Sequence, residues 1–157
     1  MTTIVLTTRI SAPVEICFDL SRSIDLHQRT TSHTGERAID GRKSGLIKKG
    51  EYVTWQATHF SITQKLSVRI VAMDRPRYFT DVMIRGAFKS MRHQHVFEAD
   101  AKGTLMKDHF EYEVPMGVFG KIFDRLVLRR YMTNLLIIRN NHIKAIAETE
   151  NWKQFVV

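Results

Sequence analysis

The chain is poor in residues that staple, punctuate or span. One cysteine, Cys17, occurs in 157 residues, which excludes an internal disulfide and any zinc site built from several thiolates. Only three prolines occur, Pro13, Pro76 and Pro115, and they stand far apart. No Pro- or Ser-rich linker, repeat or low-complexity block is present, so nothing marks a domain boundary. The most apolar stretch, Leu126 to Ile138, contains Arg129 and Arg130 and falls short of the ~20 residues that cross a bilayer. Gly-rich phosphate loops and Gly-x-Ser-x-Gly elbows are missing. Met1 to Leu6 carry no basic region, and Arg9 interrupts the apolar run early, so the expected location is the cytoplasm rather than a secretory route.

What remains is ordinary for one folded domain. With 43% hydrophobic and 25% charged residues, a disordered or fibrous chain is excluded. Residues 1–148 read as a single domain and 149–157 as a C-terminal tail, with Trp152 and Phe155 in it and no assigned role. Lys and Arg number 24 against 16 Asp and Glu, a net charge of +8 that raises the question of anionic partners. The basic residues are scattered, apart from Arg42-Lys43 with Lys48-Lys49 and from Arg125, Arg129 and Arg130. Interleaved stacking aromatics and helix-turn-helix or zinc-finger patterns are absent, which argues against nucleic acid. A weak contact of Arg42 to Lys49 with anionic lipid stays open. The oligomeric state is not legible.

Periodicity predicts the elements. Thr3 to Ile10 alternates and is rich in Ile, Val and Thr, a strand. Ser11-Ala12-Pro13-Val14-Glu15 has the residues of a helix start, and Val14, Cys17, Phe18 and Ile24 follow at helical spacing, giving one or two short helices before Thr30. Alternating segments then run over Glu51–Phe60, Ile62–Val71, Tyr78–Arg85, Met91–Ala99 and Thr104–Glu113, an antiparallel meander with one covered face. Asp74-Arg75-Pro76-Arg77 and Ala101-Lys102-Gly103 read as turns. After Pro115 the period becomes helical. A stripe from Val118, Phe119, Ile122 and Phe123 through Val127, Tyr131, Leu135, Ile138, His142 and Ile146 predicts one helix of about 31 residues, ~45 Å long. Its Phe119–Phe123–Val127–Tyr131 face is expected on the sheet. Strand, short helices, meander and long helix make an α+β chain.

That order resembles the helix-grip fold of the START-like, polyketide-cyclase-type (SRPBCC) ligand-binding superfamily. In this fold a curved antiparallel sheet wraps around a long C-terminal helix, with two short helices after the first strand. Local motifs resemble a bacterial cell-division-inhibitor-like or cyclase-like subgroup. They are Gly50-Glu51-Tyr52-Val53-Thr54-Trp55-Gln56-Ala57-Thr58-His59-Phe60, Phe79-x-Asp81, Gly86-x-Phe88, His93-x-His95-x-Phe97, Gly103-Thr104-x-Met106-x-Asp108 and Tyr112-x-x-Pro115-x-Gly117. Ser61 departs from the pattern where such sequences often turn with Gly. The resemblance implies a cavity between helix and sheet for a hydrophobic or amphipathic small molecule. The residues expected to line it are Trp55, His59, Phe79, Asp81, Phe88, His93, His95, Met106, Asp108, Tyr112, Phe119, Phe123, Val127 and Tyr131.

The chemistry-bearing residues admit a second use. His93 and His95, two apart on a strand, point the same way ~6.6–7 Å apart, and His59, Asp81 and Asp108 share their concave face. Buried carboxylates must be paired or protonated. His93, His95, Asp108 and Asp81 are therefore the candidates for acid–base work, and the enzyme they would suit is a polyketide cyclase/dehydratase-like lyase or isomerase. A binder without activity is the preferred reading, and a regulatory protein meeting a membrane or protein partner is a third. No cofactor is expected. No metal is expected either, because the sequence supplies no complete set of ligands.

Overall fold

The alternating segments assemble into one seven-stranded antiparallel sheet in the computed structural model of the chain, which describes residues 1–156. The strands are β1 (Thr2–Ile10), β2 (Arg37–Gly41), β3 (Tyr52–His59), β4 (Ile62–Asp74), β5 (Tyr78–Arg85), β6 (Ser90–Asp100) and β7 (Gly103–Glu113), ordered β1-β7-β6-β5-β4-β3-β2. Each of β3 to β6 pairs with its successor, as short hairpins require, and β1 closes onto β7. β2 escapes the alternation rule. Its five residues carry only Ala38 and Ile39 as apolar side chains and bulge between Ala38 and Asp40, so it is a strand because β3 offers an edge.

One face of the sheet is buried. On β6 these residues are Met91, His93, His95 and Phe97, and on β7 they are Thr104, Met106, Asp108, Phe110 and Tyr112, as the two-residue period dictates. Two short helices follow β1, α1 (Val14–Ser21), which lies on β6 and β7, and α2 (Ile24–Thr30), which packs against α1 and the edge strand β2. Pro13 precedes α1 with no side-chain cap, whereas Ser23 caps α2 by accepting a bond from the Leu26 N–H at 3.3 Å. Phe18 of α1 meets Phe79 and Phe97 edge-on at 5.4 and 5.3 Å, a core cluster that anchors the helices to the sheet. Cys17 is fully buried there, and burial pushes its thiol pKa up.

The C-terminal helix runs 31 residues, Gly117 to Ala147, but not at one pitch. α3 (Gly117–Phe123) and α4 (Arg129–Ala147) are joined by a π turn over Asp124–Leu128. A π turn admits one extra residue, and this advances every later position by one relative to a uniform α stripe. The buried face of α4 is accordingly Leu136, Arg139, Asn140, Ile143 and Ala147, where uniform spacing predicts Leu135, Ile138, His142 and Ile146. Of the expected Phe119–Phe123–Val127–Tyr131 face, Tyr131 meets His59 of β3, but Phe119, Phe123 and Val127 do not pack on the sheet and are 79%, 43% and 40% exposed. α4 instead lies against β1, α1 and α2. Asp124 holds the junction, accepting hydrogen bonds from the Tyr112 and Thr2 hydroxyls. Gly120 permits the entry to α3, since a Cβ there would overlap the Pro115 carbonyl oxygen.

Beyond the helix, a 3-10 turn over Glu150–Gln154 sets Trp152, Phe155 and Val156 against the core. Among the described residues no helix is long and apolar enough to cross a membrane.

Candidate ligand-binding site

Because α4 closes only one end of the concave face, the other end remains a cavity of about 560 Å³. Its floor is the inner face of β3 to β6 with Phe110 of β7, and its walls are α2 with the segment that follows it and the C-terminal helix on both sides of the π turn, from Phe119 and Phe123 to Tyr131, Leu135 and Arg139. Of the residues expected to line it, Trp55, His59, Phe79, Asp81, Phe88, His93, His95, Phe119, Phe123 and Tyr131 do so. Four do not. Met106 is wholly buried beside the Ser21 hydroxyl, and Tyr112 is buried with its hydroxyl on Asp124. Asp108 reaches the cavity only through the histidines it contacts, and Val127 takes no part in the wall. The two-residue period places a side chain on the inner face, but it does not tell cavity from packed core.

The polar groups fall into two sets rather than one cluster. At the first set, Asp81 stands opposite His93 across β5–β6, and His95 stands opposite Asp108 across β6–β7. His93 Nε2 lies 2.8 Å from Asp108 Oδ1, and His95 Nε2 lies 3.1 Å from Asp81 Oδ2. The Asn140 side-chain amide donates to Asp108 Oδ2 at 2.7 Å, and the Arg139 guanidinium lies 3.6 Å from Oδ1. Burial opposes ionisation of Asp108, yet the His93 hydrogen bond and the Arg139 charge hold its pKa well below the ordinary carboxylate value. Burial also lowers His93, with help from neighbouring His95, to about 4. The pair is thus a neutral imidazole donating Nε2–H to a carboxylate. Asp81 is lowered too, since the His95 bond and the neighbouring charges together outweigh its burial.

The second set includes His59, which sequence reasoning grouped with the first. His59, the last residue of β3, has its Nδ1 2.6 Å from the Tyr131 hydroxyl, and burial lowers its pKa. Nearby in the lining, His27 stacks on Trp55 at 4.1 Å and meets Glu36 Oε1 with Nε2 at 2.5 Å. His27, Glu36 and Arg139 all line the cavity, and sequence reasoning named none of them. His27 and Arg139 lie on helices but outside the stripes that the helical spacing predicts, and no local pattern marks Glu36.

Aromatics rim the opening. The β3–β4 hairpin turns through Phe60 and Ser61, both left-handed at φ 51° and 62°, the conformation in which Gly is the usual residue. The turn sets the Phe60 ring 5.6 Å from Phe123 and 4.5 Å from Tyr131. Phe119 stands beside them, largely exposed.

This architecture is a helix-grip fold, a curved antiparallel sheet with two short helices after the first strand and a long C-terminal helix. Solved structures share it at low sequence identity. A protein from Thermus thermophilus, TTHA0849, aligns with a TM-score of 0.72 and 15% identity over 93% of this chain and 99% of its own. The ginseng major latex-like protein 151 of Panax ginseng aligns at 0.69 and 17%, over 94% and 98%. The di-domain ARO/CYC protein StfQ from the steffimycin biosynthetic pathway aligns at 0.74 and 12% over 93% of this chain and 50% of that one. No family model matches the sequence, and no curated protein sequence matches it.

Proposed function

We propose that the protein binds a hydrophobic or amphipathic small molecule in the cavity between the C-terminal helix and the sheet, as a carrier or sensor. One observation carries this reading: a cavity of about 560 Å³ with largely apolar walls in which a few polar side chains converge. This is the usual form of a small-molecule site. The sequence resemblance and the shared fold agree with it. The ligand's apolar body would lie against Trp55, Phe79 and Phe88, with its polar end at Asp81, His93 and His95. Thermal melts of the protein with fatty acids, isoprenoids and aromatic polyketide-like compounds test it. A ligand at 100 times its dissociation constant adds about 2.7 kcal/mol of stability, a readily measured shift. Ala57→Phe, which fills the cavity from β3, is expected to abolish that shift and leave the fold intact. If no compound class shifts the melting temperature, and mass spectrometry of gently purified protein finds no retained molecule, the reading fails.

The neutral His93 held by ionised Asp108 favours a second reading, a cyclase- or dehydratase-type enzyme. StfQ, which shares the fold, is described as an ARO/CYC protein of a biosynthetic pathway. Turnover of a carbonyl substrate that vanishes in folded His93→Ala and Asp108→Asn would establish it.

A further inference from the structure

We propose that Asp81, His93 and His95 form a site for one divalent first-row transition-metal ion, with its remaining coordination positions open to the cavity. The two histidines share a strand face, and the antiparallel register sets Asp81 directly across from His93. Each of the three offers a ligand atom, and these atoms lie within 4.8 Å of one another. Metal–nitrogen and metal–oxygen bonds of ~2.0–2.2 Å allow two ligands to stand up to ~4.2 Å apart, so small side-chain rotations close the set. Two imidazoles and one carboxylate with open positions are a donor set that suits such ions. Sequence alone could not complete this set, because the third donor lies on another strand.

Two further observations point to a cation. Among the described residues, no lysine or arginine nitrogen comes within ion-pair distance of Asp81, whose one such partner is His95. Arg139 acts on Asp81 only from beyond ion-pair distance, its guanidinium being engaged by Asp108, Asn140 and the Ser21 carbonyl. Finally, Asp108 is itself fixed by Asn140 and holds the His93 ring by Nε2. Metal-ligating histidines are commonly oriented through such an outer carboxylate. All three donors line the cavity, so an ion there would face any molecule the cavity holds.

The test uses the full chain, stripped with a chelator and titrated with Co(II), read by visible absorption, and with Zn(II), read by calorimetry. One ion per chain is expected. Asp81→Asn and His93→Gln should each weaken it at least about tenfold. His33→Ala and His142→Ala, both at exposed positions, should leave it unchanged. Should the site variants fail to fold, the unaltered protein decides through its imidazole ¹⁵N signals. Zn(II) is expected to move those of His93 and His95 together. Absence of saturable one-to-one binding, unchanged affinity in folded Asp81→Asn, or ¹⁵N shifts confined to other histidines overturns the proposal. Binding of a fluorescent fatty acid by the metal-free protein is scored separately, so failure of the metal site and failure of the ligand cavity remain distinguishable.

Discussion

The two halves of the C-terminal helix differ more from each other than their sequences suggest. Gly117 to Leu128 is the more apolar half, with Val118, Phe119, Ile122, Phe123, Leu126 and Val127, yet all six are well exposed. Arg129 to Ala147 carries Arg139 and Asn140 on its inward side, and both are buried. Hydrophobicity favours burial only where a facing surface exists. The second half meets β1, α1 and α2, and its two polar residues are kept inside because Asp108 and the Ser21 carbonyl await them. The first half spans an opening, so Phe119 and Phe123 rim the cavity and Val118, Ile122, Leu126 and Val127 face away from it, none of them filling a core. Stability is concentrated at one end of this helix, and access to the cavity at the other.

The largest expected effect separates the halves directly. Ile143→Ala should cost about 2–5 kcal/mol, because it leaves a void in a packed core. Urea unfolding measures it, and a loss under about 1 kcal/mol would show that α4 is not the stabilising half. Next comes the junction. Asp124→Ala leaves the buried Tyr112 hydroxyl without its partner and should cost about 1–3 kcal/mol. Faster amide hydrogen exchange is expected in Gly117 to Leu128 than in α4. Equal exchange in both would mean that Asp124 does not hold the first half. The smallest stability effect belongs to Phe119→Ser, within about 0.5 kcal/mol, since the ring is already mostly in water. Its effect on the affinity of a cavity-filling ligand should exceed its effect on stability. A melting temperature lowered as far as by Ile143→Ala would erase the contrast.

Much of the sheet and the length of the helix were legible, for a local reason. The two-residue period of β6 and β7 and the helical period after Pro115 are properties of consecutive residues, and each shows which side chains share a face. His93, His95 and Asp81 could thus be placed on the concave side before any contact was known. β2 was not legible, because Arg37 to Gly41 is a strand only by pairing with β3. His27, Glu36 and Arg139 were missed as well, since their place in the cavity comes from partners distant in sequence.

By itself, then, the sequence determined the order of elements apart from β2, the inward faces of the alternating strands and the identity of the ionisable groups on them. Period and residue chemistry are local and need no partner. The tertiary structure alone decided that these groups split into two sets, that Asp108 stands behind His93 while Asp81 faces the cavity, and that Arg139 and Asn140 are buried. It also decided that the π turn at Asp124 shifts the helix stripe by one residue. Each of these depends on strand register and helix phase, where a displacement of one residue changes which side chain meets which neighbour.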